Sequence, residues 1–323
     1  MTARIPVMLA IGKASQDVFL QSSKDFQPYE HKGVQYEQLP LGKKIHVDDM
    51  TITTGGNATN VAVTFARQGL HSKYAWKIGT DAVSHSILKN LDDEDVDTSG
   101  THQDAEFSPS YSTILLAPTG ERTVLNFIGT PIKAHTKPID MAVLEGVDWV
   151  YLSSINNMEL LDEIAEHAAK NGVKIMMNPS GVELENPDKL KGILDDVEVL
   201  AMNKEEAQEL VSGETLEELA RHLLHYVEVA VVSDGPNGVV ATDGKTVVRA
   251  GMYEDVKVVD RTGAGDAFGS GFLSQWAQGS SLKDAVIFAS ANSTSVVTKI
   301  GAKEGILRTP NKLHAMPISE KPF

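Results

Sequence analysis

The sequence predicts an α/β fold in which helices cover both faces of a mainly parallel sheet, with a small second sheet attached. Short apolar runs alternate with longer amphipathic runs along most of the chain, the pattern of strands that alternate with helices. Such alternation favours right-handed crossovers and parallel strands. Two further segments carry strand patterns outside this alternation. No internal repeat or domain linker is evident, so we expect one main body.

The apolar runs predict the strands of the main sheet. The first run, 5–12, ends at a small-residue turn and is too short to span a membrane. Residues 239–242 and 247–249 flank Asp243-Gly244 and predict a hairpin. The other predicted strands are 73–78, 147–152, 173–177, 197–201 and 229–232.

The amphipathic runs predict the helices and where they end. After Gly55-Gly56, apolar residues recur at helical spacing until Gln68-Gly69. Asp81 can cap the helix that follows strand 73–78. A further helix begins at residue 158 and ends at Asn171-Gly172. The last two predicted helices are 266–278 and 282–298.

Two other segments predict the small sheet. Residues 22–50 are polar and irregular, and they are long for a plain connection. Residues 111–116 and 123–128 form a pair of strand patterns around the turn Pro118-Thr119-Gly120-Glu121. We therefore expect these segments to supply strands that lie apart from the main sheet.

The composition argues against several classes of function. With 323 residues, 41% of them hydrophobic and 23% charged, the chain can bury a large core. A formal net charge of −15 argues against binding to nucleic acids or anionic membranes, which need a basic face. The chain has no cysteine, which excludes disulfides, thiolate catalysis and zinc–cysteine sites. This composition fits a reducing compartment, and we expect the protein to be cytoplasmic.

The stretch Gly263-Ala264-Gly265-Asp266 is the strongest functional signal. It leads into the helical pattern 266–278, so its backbone N–H groups lack partners within the helix. Such a helix start binds anions, because the free N–H groups and the helix dipole both attract negative charge. Asp266 on the same turn suits an enzyme that deprotonates a hydroxyl beside a phosphoryl group. The alternative is an ordinary turn in which Asp266 only caps the helix.

A second glycine-rich helix start, T-G-G-N-A-T-N at 54–60, lies far upstream of the first. The two motifs, in this order, resemble the signature motifs of the ribokinase-like (PfkB) carbohydrate kinase family. The resemblance implies a ribokinase-like three-layer sandwich, with a single kinase domain over 1–323 and a small β-sheet lid. The lid would be formed discontinuously by about 17–50 and 105–130 and would mediate a homodimer. Lid closure excludes water from the reaction.

The same resemblance implies ATP-dependent phosphorylation of a primary hydroxyl of a small sugar, with Mg²⁺ as a cofactor. Asp266 would be the general base. The amides of Gly263, Ala264 and Gly265 would form an anion hole for the transferred phosphoryl group. The residues implied in acceptor binding are Asp17, Gly55, Gly56, Asn57 and Asn60.

The nucleotide positions implied by the family lie in the last third of the chain. Asn203 and Glu206 match an Asn-x-x-Glu near the phosphates, with Glu206 holding Mg²⁺ through water. The other implied nucleotide-binding residues are Ser233, Gly235, Gly238 and Ser290. Two of these depart from the family pattern, because Ser233 stands where Thr is expected and Ser290 where Asn is common.

The resemblance also implies a potassium site beside the anion hole, built mostly from backbone carbonyls. Its implied ligands are Asp260, Thr262, Val296, Lys299, Gly301 and Gly305. Arg261 stands where the family usually has Thr or Ser, and the sequence assigns it no role.

Other ligand-binding motifs do not fit the spacing. Five residues separate Gly238 from the G-K-T at 244–246, whereas a Walker loop needs four. Phe268 occupies the third glycine position of a dinucleotide-binding motif, and the histidines show no H-x-x-x-H spacing.

Three alternatives stay open at this point. A nucleoside kinase of the same family would bind a similar ribose-like set of hydroxyls. A sugar-phosphate kinase would need basic residues around the phosphate of its acceptor. A nucleotide-binding regulator without catalysis would belong to a different class. We expect a small-molecule sugar or nucleoside as the partner, with no nucleic acid and no membrane.

Overall fold

The computed structural model describes residues 4–119, 121–133, 136–251, 253 and 256–323. The strands are β1 (Val7–Gly12), β2 (Ser15–Gln21), β3 (Pro28–His31), β4 (Val34–Glu37), β5 (Asp49–Gly55), β6 (His71–Ala75), β7 (Lys77–Ile78), β8 (His102–Gln103), β9 (Ser110–Leu116), β10 (Arg122–Phe127), β11 (Trp149–Ser153), β12 (Lys174–Asn178), β13 (Val199–Asn203), β14 (Val229–Ser233), β15 (Val239–Thr242), β16 (Thr246–Ala250) and β17 (Ile318–Pro322). The helices are α1 (Asn57–Arg67), α2 (Ala82–Asp93), α3 (Met158–Lys170), α4 (Pro187–Ile193), α5 (Lys204–Leu210), α6 (Leu216–Leu223), α7 (Ala264–Trp276) and α8 (Leu282–Val296).

The larger sheet has nine strands among the described residues, in the order β17-β16-β15-β14-β13-β12-β11-β1-β6. Neighbouring strands from β6 to β14 are parallel, whereas β14 to β17 pair antiparallel. The predicted mainly parallel sheet is confirmed. Strand β17 was not predicted, because its I-S-E-K-P sequence has no apolar periodicity.

Strand β1 is buried in the core on both of its faces. Residues Met8 to Ile11 are each at most 1% exposed, and a strand buried on both faces reads as a continuous apolar run. Helix α1 packs on β1 and on α7. The carboxyl ends of the parallel strands meet at one edge of the sheet, where ligands bind in open α/β folds.

A second sheet, called the small sheet below, has the strand order β10-β9-β2-β5. Strand β2 is antiparallel to β5 and parallel to β9. Phe19, Ile114 and Leu116 form its buried cluster, against which Ile300 packs. Strand β5 extends beyond residue 50 to Gly55, so it includes the first two residues of the second glycine motif. Strands β3 and β4 form a separate hairpin, and Gly120 of the predicted turn lies outside the described residues.

The single strand predicted over 73–78 is wrong, since two strands occupy this segment. Strand β6 pairs with β1, and β7 pairs with β8 in a separate two-stranded sheet. The break falls at Trp76, which is 1% exposed and whose carbonyl accepts a hydrogen bond from the His102 amide at 3.1 Å. The apolar run continues because Trp76 is buried, although the pairing partner of the strand has changed.

Several predicted helix ends and turns are confirmed. Asp81 caps α2 by accepting a hydrogen bond from the Ser84 amide at 2.7 Å. Gly172 follows α3 with φ of 69°, a left-handed conformation that favours glycine. Asp243 accepts hydrogen bonds from two amides of the β15–β16 turn.

Gly269 of α7 is required by close packing against Tyr151 of β11. A Cβ atom at position 269 would lie 2.3 Å from the Tyr151 hydroxyl, and this tyrosine is fully buried. We expect Gly269→Ala to lower the free energy of unfolding by about 1–3 kcal/mol, measured by urea denaturation. Gly192→Ala in α4 is the matched control, because nothing lies within 4 Å of its Cβ position. The control should raise stability by roughly 0.5–1 kcal/mol, and equal losses in both variants would contradict the packing explanation.

Candidate active site

The start of α7 has the geometry of an anion hole. Gly263 precedes the helix with φ of 76°, in the left-handed region. The amides of Gly263, Gly265 and Asp266 make no hydrogen bond within the described residues. The Ala264 amide donates to the Arg261 carbonyl at 3.3 Å. Two of the three amides named from the sequence are therefore free, and the Asp266 amide adds a third.

Asp266 lies in the first turn of α7 and is 8% exposed. Its Oδ2 atom accepts a hydrogen bond from the Asn60 side-chain amide at 2.8 Å. Burial raises the pKa of Asp266 from 3.8 to about 6, and the Asn60 hydrogen bond and the charge of Lys303 oppose this rise. The residue that caps α7 is Gly263 and not Asp266. At neutral pH this carboxyl group is mostly ionised and able to accept a proton.

The second glycine motif brings Asn60 to this carboxylate. Gly56 precedes α1 with φ of 98°, and a Cβ atom there would lie 2.5 Å from the Cα atom of Ala14. Glycine therefore lets α1 begin directly against the turn between β1 and β2. Asn60 follows one turn into α1 and is 3% exposed, so its amide reaches Asp266 in a site closed to solvent.

Asp17 of β2 faces the same region. A Cβ atom at Gly55 would lie 2.3 Å from its Oδ2 atom, so only glycine fits beside this carboxylate. Burial raises the pKa of Asp17, while a hydrogen bond from Ser112 and the charge of Lys303 lower it. The structure therefore brings Asp17, Gly55, Gly56 and Asn60 together.

Asn57 connects the second glycine motif (54–60), called the acceptor motif below, to the loop after β11. Its Nδ2 atom donates to the Ser154 hydroxyl at 3.1 Å, and this hydroxyl lies 2.7 Å from that of Ser180. Ser154 and Asn156 have φ of 52° and 54°, which is strained for residues other than glycine and is found most often at functional sites. The sequence gives no sign of these contacts, because they join loops far apart in the chain.

Lys303 also lies in this region, although the sequence did not single it out as a site residue. It is 7% exposed, and its Nζ atom donates to the Thr54 hydroxyl at 2.9 Å. Burial lowers its pKa to about 7, while the charges of Asp17, Glu94 and Asp266 act in the opposite direction. A lysine within the small-residue run G-A-K-E-G was the available signal, although its burial is visible only in the fold.

Four of the six residues predicted to bind the nucleotide line one cavity of about 140 Å³ beside the start of α7, namely Ser233, Gly235, Gly238 and Ser290, whereas Asn203 and Glu206 do not line it. Gly235 and Gly238 line it from the turn after β14, and Ser290 lines it from α8. Ala264 and Gly265 form the border with the anion hole. A nucleotide bound in this cavity would carry its phosphates toward the free amides of α7.

Asn203 and Glu206 form a capping box at the start of α5. The Asn203 side chain accepts from the Glu206 amide, and the Glu206 carboxylate accepts from the Asn203 amide, both at 2.9 Å. Burial raises the pKa of Glu206. Burial and the charges of Asp266 and Glu206 raise the pKa of Tyr151, so this tyrosine lies under the influence of both carboxylates. Asn203 is paired in register with Ser233 on the next strand.

The residues implied in potassium binding lie around one turn. The Asp260 carboxylate accepts from the Thr262 amide and hydroxyl at 3.0 and 2.7 Å, and from the Gly301 amide at 3.0 Å. The Val296 carbonyl accepts from the Lys299 amide at 3.1 Å. Gly305 packs on this helix end, since a Cβ atom there would lie 2.5 Å from the Val296 Cα atom. Carboxylate, hydroxyl and carbonyl oxygens suit a hard cation. Arg261 is exposed.

A larger cavity of about 890 Å³ lies elsewhere, between β6 and α3. It includes none of the residues named from the motifs. The two lysines that line it are paired with carboxylates, because Lys73 lies 3.9 Å from Asp97 and Lys137 lies 3.6 Å from Glu163. The smaller cavity borders Gly265, the residue before Asp266, and four of the predicted nucleotide-binding residues line it.

Two features are absent from the described residues. In the ranges given above, no helix is long and apolar enough to cross a membrane. Among the same residues, no group of three or more His, Cys, Asp or Glu side chains could hold a metal ion.

Solved structures share this fold. Arabidopsis thaliana ribokinase in complex with ribose and ATP superimposes with a TM-score of 0.78 at 20% identity, covering 94% of this chain and 96% of that one. Adenosine kinase from Sinorhizobium meliloti gives a TM-score of 0.77 at 21% identity, covering 93% of this chain and 96% of that one. The fold class predicted from the two motifs is confirmed.

Sequence comparison identifies the family. The chain is 26% identical over 278 residues to the ribokinase of Haemophilus influenzae, covering 82% of this chain and 88% of that enzyme. It is 27% identical over 302 residues to the ribokinase of Bacillus subtilis, covering 92% and 94%. Residues 25–309 match the family of pfkB carbohydrate kinases. The chain therefore belongs to the pfkB family of carbohydrate kinases, and the predicted kinase activity is confirmed.

Proposed function

We propose that this protein transfers the γ-phosphoryl group of ATP to a primary hydroxyl of a small sugar. The observation that carries the proposal is the hydrogen bond between Asn60 and Asp266. It joins the acceptor motif on α1 to the anion hole on α7, with a buried carboxylate between them. A hydroxyl held at this junction would be close to a base and to a phosphate-binding helix start.

Asp266 is the proposed general base. Asn60 occupies its Oδ2 atom, so the other carboxylate oxygen is available to take the proton of the acceptor hydroxyl. Asp17 would accept hydrogen bonds from neighbouring hydroxyls of the same molecule, since a carboxylate can accept from two donors. Gly55 and Gly56 let the chain pass directly against Asp17 and the β1–β2 turn, which fixes the positions of Asp17 and Asn60. These residues orient the acceptor, and orientation supplies much of the rate in phosphoryl transfer.

The free amides at the start of α7 are proposed to stabilise the phosphoryl group during transfer. They donate no hydrogen bond to any described residue, and they lie at the positive end of the helix. The adjoining cavity would hold the nucleotide along Gly235, Gly238 and Ser290. Each well-placed donor of this kind contributes about 10²–10³-fold to the rate.

Two cations complete the proposal. Glu206 would hold Mg²⁺ through water, since only its Oε2 atom is engaged in the capping box. Mg²⁺ neutralises the phosphate charge when it is bound. The potassium site would use Asp260, Thr262 and the carbonyls of Val296, Lys299, Gly301 and Gly305, whose oxygen atoms suit such an ion.

The acceptor class follows from the relatives. Several curated relatives across most of the chain are named ribokinase, which supports a free sugar as the acceptor. A nucleoside acceptor is the second candidate, since an aminoimidazole riboside kinase is 28% identical over 236 residues.

We propose that the small sheet is the lid and that two copies of the chain associate through its outer face. The register puts Leu125 in the same row as Ile52, and Asp17 faces the opposite side. Leu125 and Phe127 are each 57% exposed and Ile52 is 53% exposed. Exposed apolar residues on one face of a sheet are typical of an interaction surface. A cysteine-free chain supports the cytoplasm as its location.

The acceptor is identified by ADP release from ATP and Mg²⁺ with a panel of sugars and nucleosides, with and without potassium. We expect turnover with ribose or fructose and faster turnover in potassium. Turnover with nucleosides alone would replace the sugar by the second candidate. ATP binding without turnover on any acceptor would indicate a nucleotide-binding regulator and would remove the proposal.

Asp266→Asn tests the base. We expect turnover to fall by about 10²–10⁴-fold, the usual contribution of a general base, while the ATP dissociation constant stays within a few-fold of the parent. Steady-state kinetics and calorimetric titration give the two quantities. Asp92→Asn, at an exposed carboxylate of α2, is the control and should behave as the parent. Equal turnover in Asp266→Asn and the parent would remove Asp266 from this role.

The same variant should be more stable than the parent at neutral pH. The pKa of Asp266 is about 6 in the folded chain against 3.8 in the unfolded one, so ionisation destabilises the fold increasingly between pH 4 and 6. Above pH 6 the full penalty is about 2–3 kcal/mol. Urea denaturation should show this gain for Asp266→Asn at pH 7.5 and little gain at pH 4. A gain that does not change with pH would contradict the assigned pKa.

Association through the small sheet is tested by light scattering on a sizing column. We expect the parent to have twice the 34.9 kDa mass of one chain. Leu125→Glu should shift it toward the single-chain mass, because a charge in an apolar interface is costly. Ile5→Glu, at a residue that is 47% exposed outside the small sheet, is the control. A parent that elutes as a single chain would refute the dimer.

A further inference from the structure

The loop 301–305 is held against the anion hole. The Gly301 amide donates to Asp260 at 3.0 Å. Ala302 packs on Gly263, where a Cβ atom would lie 2.4 Å from the Cβ atom of Ala302. The position of this loop is therefore fixed relative to the amides at the start of α7.

The same loop contacts the end of strand β5 on both faces of the small sheet. Thr53 and Thr54 are consecutive strand residues, so their side chains point to opposite faces. A Cβ atom at Gly301 would lie 2.9 Å from the Thr53 Cγ2 atom. Lys303 bonds to the Thr54 hydroxyl at 2.9 Å. One short loop thus contacts the phosphate side and the acceptor side of the site.

The Lys303 contact is fixed at both ends. The Lys303 carbonyl accepts a hydrogen bond from Arg67 of α1 at 2.7 Å. The Thr54 hydroxyl donates to Asn90 of α2 at 2.7 Å while it accepts from Lys303. Within the described residues Thr54 is the hydrogen-bond partner of the ammonium group, which is buried at a cost that few structural positions justify.

We propose that Lys303 is a positioning residue that fixes the end of β5 against the anion hole. This inference rests on the proposed function, because it concerns the acceptor half of the same site. Gly55 follows Thr54 directly and lies against the Asp17 carboxylate, and the acceptor motif continues from Gly55 into α1. Any displacement of Thr54 is transmitted to these groups. Lys303 makes its side-chain hydrogen bond to Thr54, and its charge also favours the ionised forms of Asp17 and Asp266.

Lys303→Met tests this role, because methionine keeps the length of the side chain and removes its hydrogen-bond donors. We expect kcat/KM for the acceptor to fall about ten- to hundredfold, the usual effect of losing a charged hydrogen bond. The KM for ATP should stay within twofold of the parent. Thr54→Val removes the partner and should act in the same direction. The double variant should be no worse than the more damaged single variant, since both remove one interaction.

Lys312→Met, at an exposed lysine of the same C-terminal segment, is the control and should match the parent. Amide hydrogen exchange at 53–55 gives a measurement that needs no turnover and should be faster in Lys303→Met. A variant with a lower Tm but parental kinetics for both substrates would overturn the proposal and leave Lys303 a purely structural role. If the parent phosphorylates no acceptor, the proposed function fails. Unchanged exchange at 53–55 would then overturn the role of Lys303, and faster exchange would support it.

Discussion

The hydrogen bond from Asn60 to Asp266 is the interaction on which the site depends, because it joins two helix starts that are 206 residues apart in sequence. Each start needs glycine for its own reason. Gly56 lets α1 begin against the β1–β2 turn, and Gly263 lets α7 begin in the left-handed conformation. Neither motif would be a site alone, since one supplies the groups proposed to hold an acceptor and the other supplies free amides and a carboxylate. The parallel sheet brings both to the same edge.

Much of the fold could be predicted because buried strands and helices have regular patterns of apolar residues in the sequence. Strand β1 is apolar throughout, and α1 is apolar at helical spacing. Helix starts of the kind that binds anions can also be predicted from the sequence, because they require glycine at fixed positions. The role proposed for Lys303 could not be predicted from the sequence, since its contacts come from β5 and α1, which are far from it along the chain. The break at Trp76 was hidden for a related reason, because a change of pairing partner does not interrupt an apolar run.

Two carboxylates and one lysine are buried around this junction, and the lysine charge acts on the pKa of each carboxylate. Burial raises the pKa of Asp17 and of Asp266 and lowers that of Lys303. The lysine charge favours the ionised form of both carboxylates, and they favour its protonated form. A base near pKa 6 is ionised at neutral pH and still basic enough to accept a proton. The stability lost in burying these groups is typical of sites where chemistry outweighs stability.

The small residues of α7 let this helix pack closely against its neighbours. A Cβ atom at Gly271 would lie 3.1 Å from the Cα atom of Ala289 in α8, and Ser270 bonds to Thr64 of α1 at 2.8 Å. Small residues thus pack α7 closely against α8, and a side-chain hydrogen bond joins it to α1. If α7 binds the phosphates as proposed, this packing would restrain it, so that closure of the site would require movement on the acceptor side.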